Sequence, residues 1–321
     1  ARKPAPKQKS PHEQTVPAGK ADLFRVVWQV TKELLIEPLQ TNRVFRNYVC
    51  YGSMLTFTAT IGGWYYWLQS REVLGFNSLA TNFLFLAIGP LAGIITANWW
   101  GKLIDRFGRK PVLIIATIGT VISVFPWFFA TRDTPSPMFV VDAANWLSVH
   151  VGQLFGRENW LMLDEYSSRL VGAYLLGVTG CLIGGSSWTG IGLAQNAIIL
   201  GFSDGTGRSK YVAAASVLVN FGGAAGGIVG GIVAQKFVGL HLMIGPMLLN
   251  NYILTFVISI VVRLASLAWL HGMPDPGARN VRSLFRYWSE NTYNNVISRL
   301  FFPMRIFGWG RRSNHERRRD E

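Results

Sequence analysis

The chain has 321 residues, 50% of them hydrophobic, 13% aromatic and only 15% charged, against about 25% charged in ordinary soluble domains. Several uninterrupted apolar runs are long enough to cross a hydrocarbon layer about 30 Å thick, which excludes a soluble enzyme, a disordered chain and a disulfide scaffold. The net charge is +14, but residues 1–46 carry nine Lys/Arg against four Asp/Glu and residues 279–321 carry ten against four, so the excess lies in two tails around a nearly neutral block.

Basic tails around an apolar block suit orientation by cytoplasmic positive charge and attraction to anionic lipid. No nucleic-acid-binding motif accompanies the charge. The fold class expected is therefore all-α: a polytopic membrane protein of six transmembrane helices. Its first partner is the lipid bilayer.

Residues 1–21 are rich in Pro, Lys and Gln and read as a basic, disordered linker. The chain opens at Ala1 with no apolar signal core, and the expectation is that a segment precedes it. Over 22–42, Leu23, Val26, Val27, Val30, Leu34 and Leu35 recur at helical spacing behind the potential cap Asp22. This amphipathic helix is expected either to lie in the membrane interface or to pack on the protein's own loops.

The bundle is expected over 43–272. Its spans are about Val44–Ser70, Ser78–Trp100, Pro111–Ala130, Leu170–Phe202, Tyr211–Phe237 and Leu242–Leu270. The fourth is too long for one straight crossing, and Gly184, Gly185 and Gly190 offer places to kink it. Six crossings put both termini on one side. The connectors on that side hold Lys102, Arg106, Arg109, Lys110, Arg208 and Lys210, whereas the opposite loop, 131–168, is polar and net acidic. Both termini are therefore expected in the cytoplasm of a plasma (inner) membrane protein. The tail 273–321 interleaves arginines with Leu284, Phe285, Trp288, Val296, Leu300, Phe301 and Trp309, which predicts a basic amphipathic anchor at the cytoplasmic surface.

The connector between the second and third spans reads Gly101-Lys102-Leu103-Ile104-Asp105-Arg106-Phe107-Gly108-Arg109-Lys110. Gly101 suits close helix approach, Asp105 suits a neighbouring helix N-terminus, and Arg106, Arg109 and Lys110 suit lipid phosphate or acidic groups. This pattern resembles the signature loop of the major facilitator superfamily, with Ile104 bulkier than usual there. Trp188-Thr189-Gly190 through Gln195-Asn196, the turn Gly205–Tyr211 and the following glycine-rich helix are similar to the tenth and eleventh helices of bacterial members. Gly222, Gly226 and Gly230, and Gly223, Gly227 and Gly231, form small-xxx-small faces on that helix.

Glu37-Pro38-Leu39 and Arg43–Tyr48 resemble the approach to the seventh helix. The resemblance spans about 22–272 and implies two three-helix inverted repeats forming the C-terminal half of a transporter. It further implies a truncated, processed or split chain that needs an N-terminal six-helix half. A complete six-helix protein that pairs with a second copy is the other possibility. The implied function is secondary active or facilitative transport of a small-molecule substrate by alternating access, with the loop Gly101, Asp105, Arg106, Gly108, Arg109 and Lys110 as conformational switch. The rival reading is a non-transporting membrane scaffold.

By the same resemblance the first and fourth spans line the cavity. The candidate lining is Thr56, Thr60, Trp64, Trp188, Gln195 and Asn196, and an uncharged lining suits a neutral or amphipathic solute. No Asp or Glu falls within the apolar cores of the spans, and Arg263 is expected to snorkel or pack near the cytoplasmic end of the sixth. No phosphate-cradling loop or metal-ligand spacing is present in the sequence, so no cofactor and no catalytic group is expected. Cys50 and Cys181 read as packed thiols.

Overall fold

The computed structural model describes residues 20–154, 156, 163–202, 208–245, 247–275, 278 and 281–292. The linker expected over 1–21 and the tail beyond residue 292 lie almost wholly outside these, as do the turn residues 203–207 and the side chains of Phe285 and Trp288.

Helix α1, Lys20–Thr31, continues through a π turn at Lys32–Ile36 and a short helix at Glu37–Thr41. Its apolar residues Phe24, Val26, Val27, Trp28 and Val30 are exposed. Asn42 ends this segment and starts the next, accepting the Val44 and Phe45 amides at 3.0 and 3.1 Å as the cap of α2, Arg43–Leu68.

Helix α3, Ser78–Phe107, absorbs Pro90, which has no amide to donate, with a π turn over Phe83–Ile88. It is followed by α4, Arg109–Phe129; α6, Glu165–Ile199; α7, Arg208–Lys236; and α8, Asn251–His271, with α5, Met138–Leu154, standing between α4 and α6. Helices α3, α4, α6, α7 and α8 are long and apolar enough to cross a membrane. At 26 residues, about 39 Å, α2 is long enough, but Thr, Gly, Tyr and Trp dilute its hydropathy and it does not meet the same standard.

Three expectations need correction. The fourth span is one unbroken 35-residue helix, and Gly184, Gly185 and Gly190 serve packing rather than kinks. A Cβ on Gly185 would lie 2.7 Å from the Gly89 carbonyl carbon, and one on Gly190 would lie 2.6 Å from the Trp100 ring.

The sixth span starts at Asn251, not Leu242. Residues 241–250 form an antiparallel hairpin, β1 His241–Ile244 and β2 Met247–Asn250, turned at Gly245 with φ 59°. Asn250 then caps α8 through the Ile253 amide.

The 131–168 segment holds a helix, α5. One stripe of it (Val141, Ser148, Gly152) is buried, and its broad opposite face exposes Phe139, Trp146, Leu147 and Leu154.

The spans pack in the spatial order α7–α2–α8–α4–α6–α3. Two apolar clusters fill the interior, one at each end. At the α3–α4 turn the core is Phe45, Tyr51, Leu55, Trp100, Phe107, Leu113 and Ile198; at the far end it is Leu74, Leu84, Val124, Trp127, Leu170 and Phe256. Between them, at mid-height, α2, α4, α6 and α8 bring together the buried polar residues Thr58, Thr117, Thr120, Ser187, Ser259, Arg263 and Ser266, beside the buried Ile61 and Val121. Apolar ends with a polar middle are the layering that sets the site.

Candidate functional site

The signature turn is built around Gly108, whose φ of 94° ends α3 and begins α4. Only glycine holds that conformation without strain, and a Cβ there would also strike Ala278 and Asp275 at 2.8 Å. The residues after α8 fold back onto this turn. Asp275 Oδ2 accepts the Lys110 amide at 2.9 Å, satisfying an orphan donor in the first turn of α4. Lys110 Nζ donates to the carbonyls of His271 and Met273 at 3.0 and 3.2 Å, where the α8 dipole favours a cation. Helix α9, Val281–Thr292, lays Tyr287 4.1 Å beneath the Arg106 guanidinium and 5.3 Å from the Phe107 ring. Beside these contacts lies a cleft of about 890 Å³ lined by Arg43, Lys110, His271 and Asp275.

Two loop residues depart from expectation. Asp105 is exposed and makes no hydrogen bond or ion pair among the described residues; the carboxylate at the helix N-terminus is Asp275, which sequence spacing gave no reason to choose. A Cβ on Gly101 would meet nothing within 4 Å, so this glycine admits no close helix approach. Arg109 instead lies beside Gly201 at the end of α6.

The candidate lining residues fall in separate settings. Thr56 and Thr60 lie in the contact between α2 and α7: Thr60 Oγ1 donates to the Gly223 carbonyl at 2.8 Å, and Thr56 Oγ1 bonds back to Gly52. Trp64 is 74% exposed near the far end. Asn196 is exposed near the turn end, and Gln195 is half-buried beside Gly52. Of the six, only Trp188 reaches the polar layer.

Along α7, Gly222, Gly226 and Gly230 face the α2 backbone. A Cβ on Gly222 would lie 2.9 Å from Ser53, one on Gly226 2.9 Å from Phe57, and one on Gly230 3.1 Å from Ile61. Gly223 meets the Thr56 methyl at 3.0 Å, whereas Gly227 and Gly231 face open space.

Of the two settings expected for Arg263, snorkelling or packing, the structure has packing. Arg263 is 2% exposed, and no other Asp, Glu, Lys or Arg among the described residues is buried. Its Nη1 donates to the Thr120 carbonyl at 2.6 Å and its Nε to Thr58 Oγ1 at 3.3 Å. The guanidinium sits 5.6 Å from the Trp188 ring centre, within cation–π range.

Around it the hydroxyls are already committed. Thr58 donates to the Leu55 carbonyl, Ser259 to the Thr58 carbonyl, Thr120 to Thr117, and Ser266 to Arg263's own carbonyl. Above them Tyr51 and Thr117 hydroxyls pair at 2.7 Å. Burying an ion costs several kcal/mol, and neutral acceptors and a ring face, about 2 kcal/mol for a desolvated cation–π contact, offset part of that. The polar layer thus holds one guanidinium with neutral partners from α2, α4, α6 and α8.

A family model, Major Facilitator Superfamily, matches residues 1–156. The chain is 31% identical over 110 residues to a probable peptide/nitrate transporter of Arabidopsis thaliana, covering 34% of this chain and 20% of that protein. It is 29% identical over 143 residues to a putative metabolite transport protein of Haemophilus influenzae (43% and 32%) and 24% identical over 193 residues to the class C tetracycline resistance protein of Escherichia coli (56% and 38%). The chain thus spans less than half the length of each of these relatives. No solved structure gives a significant match. With its apolar helices and its signature turn, the chain is an integral membrane protein that is similar to members of the major facilitator superfamily.

Proposed function

We propose that this chain is a transport bundle that moves a small solute across the plasma (inner) membrane by alternating access, as the C-terminal half of a secondary active or facilitative transporter. The observation that carries the reading is the polar layer at mid-height, closed above and below by apolar clusters. Substrate sites in such transporters lie near the bilayer midplane, between repeats that rock against each other.

In this reading α2 is the first of six spans despite its diluted hydropathy, and the positively charged tails keep both termini in the cytoplasm. The exposed apolar side of α1 then lies in the cytoplasmic interface. An N-terminal six-helix half, or a second copy, completes the cavity. The glycine face of α7 supplies a thin, smooth contact for rocking, and Arg106, Gly108, Arg109 and Lys110, with Asp275 and α9, form the latch at the turn end. A scaffold role is the second reading, favoured by the exposed apolar face of α5.

The test is solute uptake by cells expressing the complete protein that carries this chain, measured against a broad metabolite panel. Saturable uptake of at least one solute is expected, lowered several-fold by Lys110→Gln. A protein present in the membrane that changes the uptake of no solute refutes transport and favours the scaffold.

A further inference from the structure

Arg263 is the one buried charge of the described residues, and it stands in the middle of the bundle rather than at a water-facing end. Its span begins at Asn251, so twelve residues separate it from the helix start and eight from His271. A guanidinium does not lose its proton in a protein, so this position remains cationic. Every group that touches it is neutral: the Thr120 carbonyl, the Thr58 hydroxyl and the Trp188 ring, with the Tyr66 hydroxyl adjoining. From each helix packed around it, the neighbouring polar residues are Thr58 on α2, Thr117 and Thr120 on α4, Ser187 on α6, and Ser259 and Ser266 on α8. None is a carboxylate, and no Asp or Glu is buried among the described residues.

Ionisable residues at membrane depth are rare, pair with one another or with backbone carbonyls, and mark the pathways of substrates and ions. Resting on the transport reading above, we infer that Arg263 is the ligand-binding cation of the bundle and that the transported solute is a small organic or inorganic anion. The planar fork of a guanidinium suits a carboxylate or an oxyanion such as nitrate through two parallel hydrogen bonds. Trp188 on the neighbouring helix offers an apolar face to a carboxylate's organic body. This departs from the neutral solute expected from the lining residues alone, because that lining did not include Arg263.

The test is thermal unfolding of the complete protein that carries this chain in neutral detergent at constant ionic strength. The probes are sodium nitrate, sodium benzoate, tetraethylammonium and sorbitol. Nitrate or benzoate is expected to raise the melting temperature by about 2–4 °C at saturating concentration, with no rise for tetraethylammonium or sorbitol. Arg263→Gln is expected to abolish the anion response, and Arg263→Lys to keep part of it. A rise with sorbitol or tetraethylammonium instead, or an anion response that survives in Arg263→Gln, overturns the inference.

Should Arg263→Gln not fold, Ser259→Asp decides. It places a carboxylate one helical turn from Arg263 and is expected to raise the unliganded melting temperature and remove the anion response; a lower melting temperature or an intact response overturns the inference. Anion binding without uptake of any solute by the complete protein would sink the transport reading alone, whereas uptake confined to neutral solutes, without anion binding, would sink the anion site alone.

Discussion

Replacing Gly226 with alanine adds one methyl group where α7 meets α2. That carbon would lie 2.9 Å from the Phe57 carbonyl carbon and closer still to its oxygen and to Thr60 Oγ1. Ordinary contact begins near 3.4 Å, so the two helices must part by at least 0.5 Å. The obstacle is backbone, which cannot rotate away, and the separation also stretches the Thr60–Gly223 and Ser53–Leu218 hydrogen bonds, now 2.8 and 3.0 Å.

Overpacking of this kind costs about 1–3 kcal/mol, and each interhelical hydrogen bond weakened in a membrane adds about 0.6 kcal/mol. Alanine's helix preference over glycine returns about 1 kcal/mol. The net loss is about 1–2 kcal/mol. Gly227→Ala is the matched control: the same helix and the same substitution, with nothing within 4 Å of the new carbon, so it keeps only the helix gain. Thermal unfolding in detergent should separate the two variants by roughly 4–12 °C, at about 2–4 °C per kcal/mol for a chain of this size. Equal melting temperatures would refute the claim that the glycine face of α7 sets its distance from α2.

Three further outcomes are expected. Asp275→Ala removes the acceptor for the Lys110 amide and should cost about 1 kcal/mol by denaturant unfolding, with Asp275→Asn losing less because it keeps an acceptor oxygen. Arg106→Gln and Tyr287→Ala should couple by about 0.5–1 kcal/mol in a double-mutant cycle, reporting the guanidinium–ring contact of 4.1 Å that holds α9 to the turn. Hydrogen bonds from the Ser167 hydroxyl and amide hold the Asp164 carboxyl below its ordinary value at the start of α6. A lowered folded-state pKa contributes stability above the unfolded value, near 3.9, that is lost as pH falls through the folded one. The melting-temperature gap between wild type and Asp164→Asn should therefore be full at pH 7 and shrink below pH 4.

Much of the bundle is legible in the sequence because hydrophobic length is a direct consequence of the membrane as solvent. The third and fifth spans fall within two or three residues of α4 and α7. The errors share a cause: hydropathy reports how apolar a segment is, not what shape it takes. Residues 242–250 are apolar enough to extend a span, yet they pair as a hairpin, and Asn250 begins the helix. Arg263 lies seven residues from the expected end at Leu270 and eight from the observed end at His271, so its distance from the helix end does not reveal its burial; the residues packed around it do. In α5, Asp142, Asn145 and His150 interleave with Phe139, Trp146 and Leu154, so the segment reads as a mixed loop although its two faces differ.

The signature loop shows the other limit. Its glycine at 108, singled out by the resemblance, has the positive φ that the turn demands. The partner that seats the α4 N-terminus is 165 residues away in sequence. Asp105 and Asp275 are the same residue type, and only the fold distinguishes which one reaches Lys110. The lining residues failed to converge for the same reason: hydroxyls at helical spacing on α2 satisfy their own helix and α7, as Thr56 and Thr60 do, before they can face a cavity.

The central claim, that this bundle carries solute through a polar layer at its middle, is tested most directly by solute counterflow in proteoliposomes holding the complete protein that carries this chain. Vesicles preloaded with unlabelled nitrate or benzoate should accumulate the labelled anion transiently and saturably, and Arg263→Gln, reconstituted in equal amount, should not. Counterflow in Arg263→Gln equal to wild type, or none above protein-free vesicles for any solute offered, would contradict it.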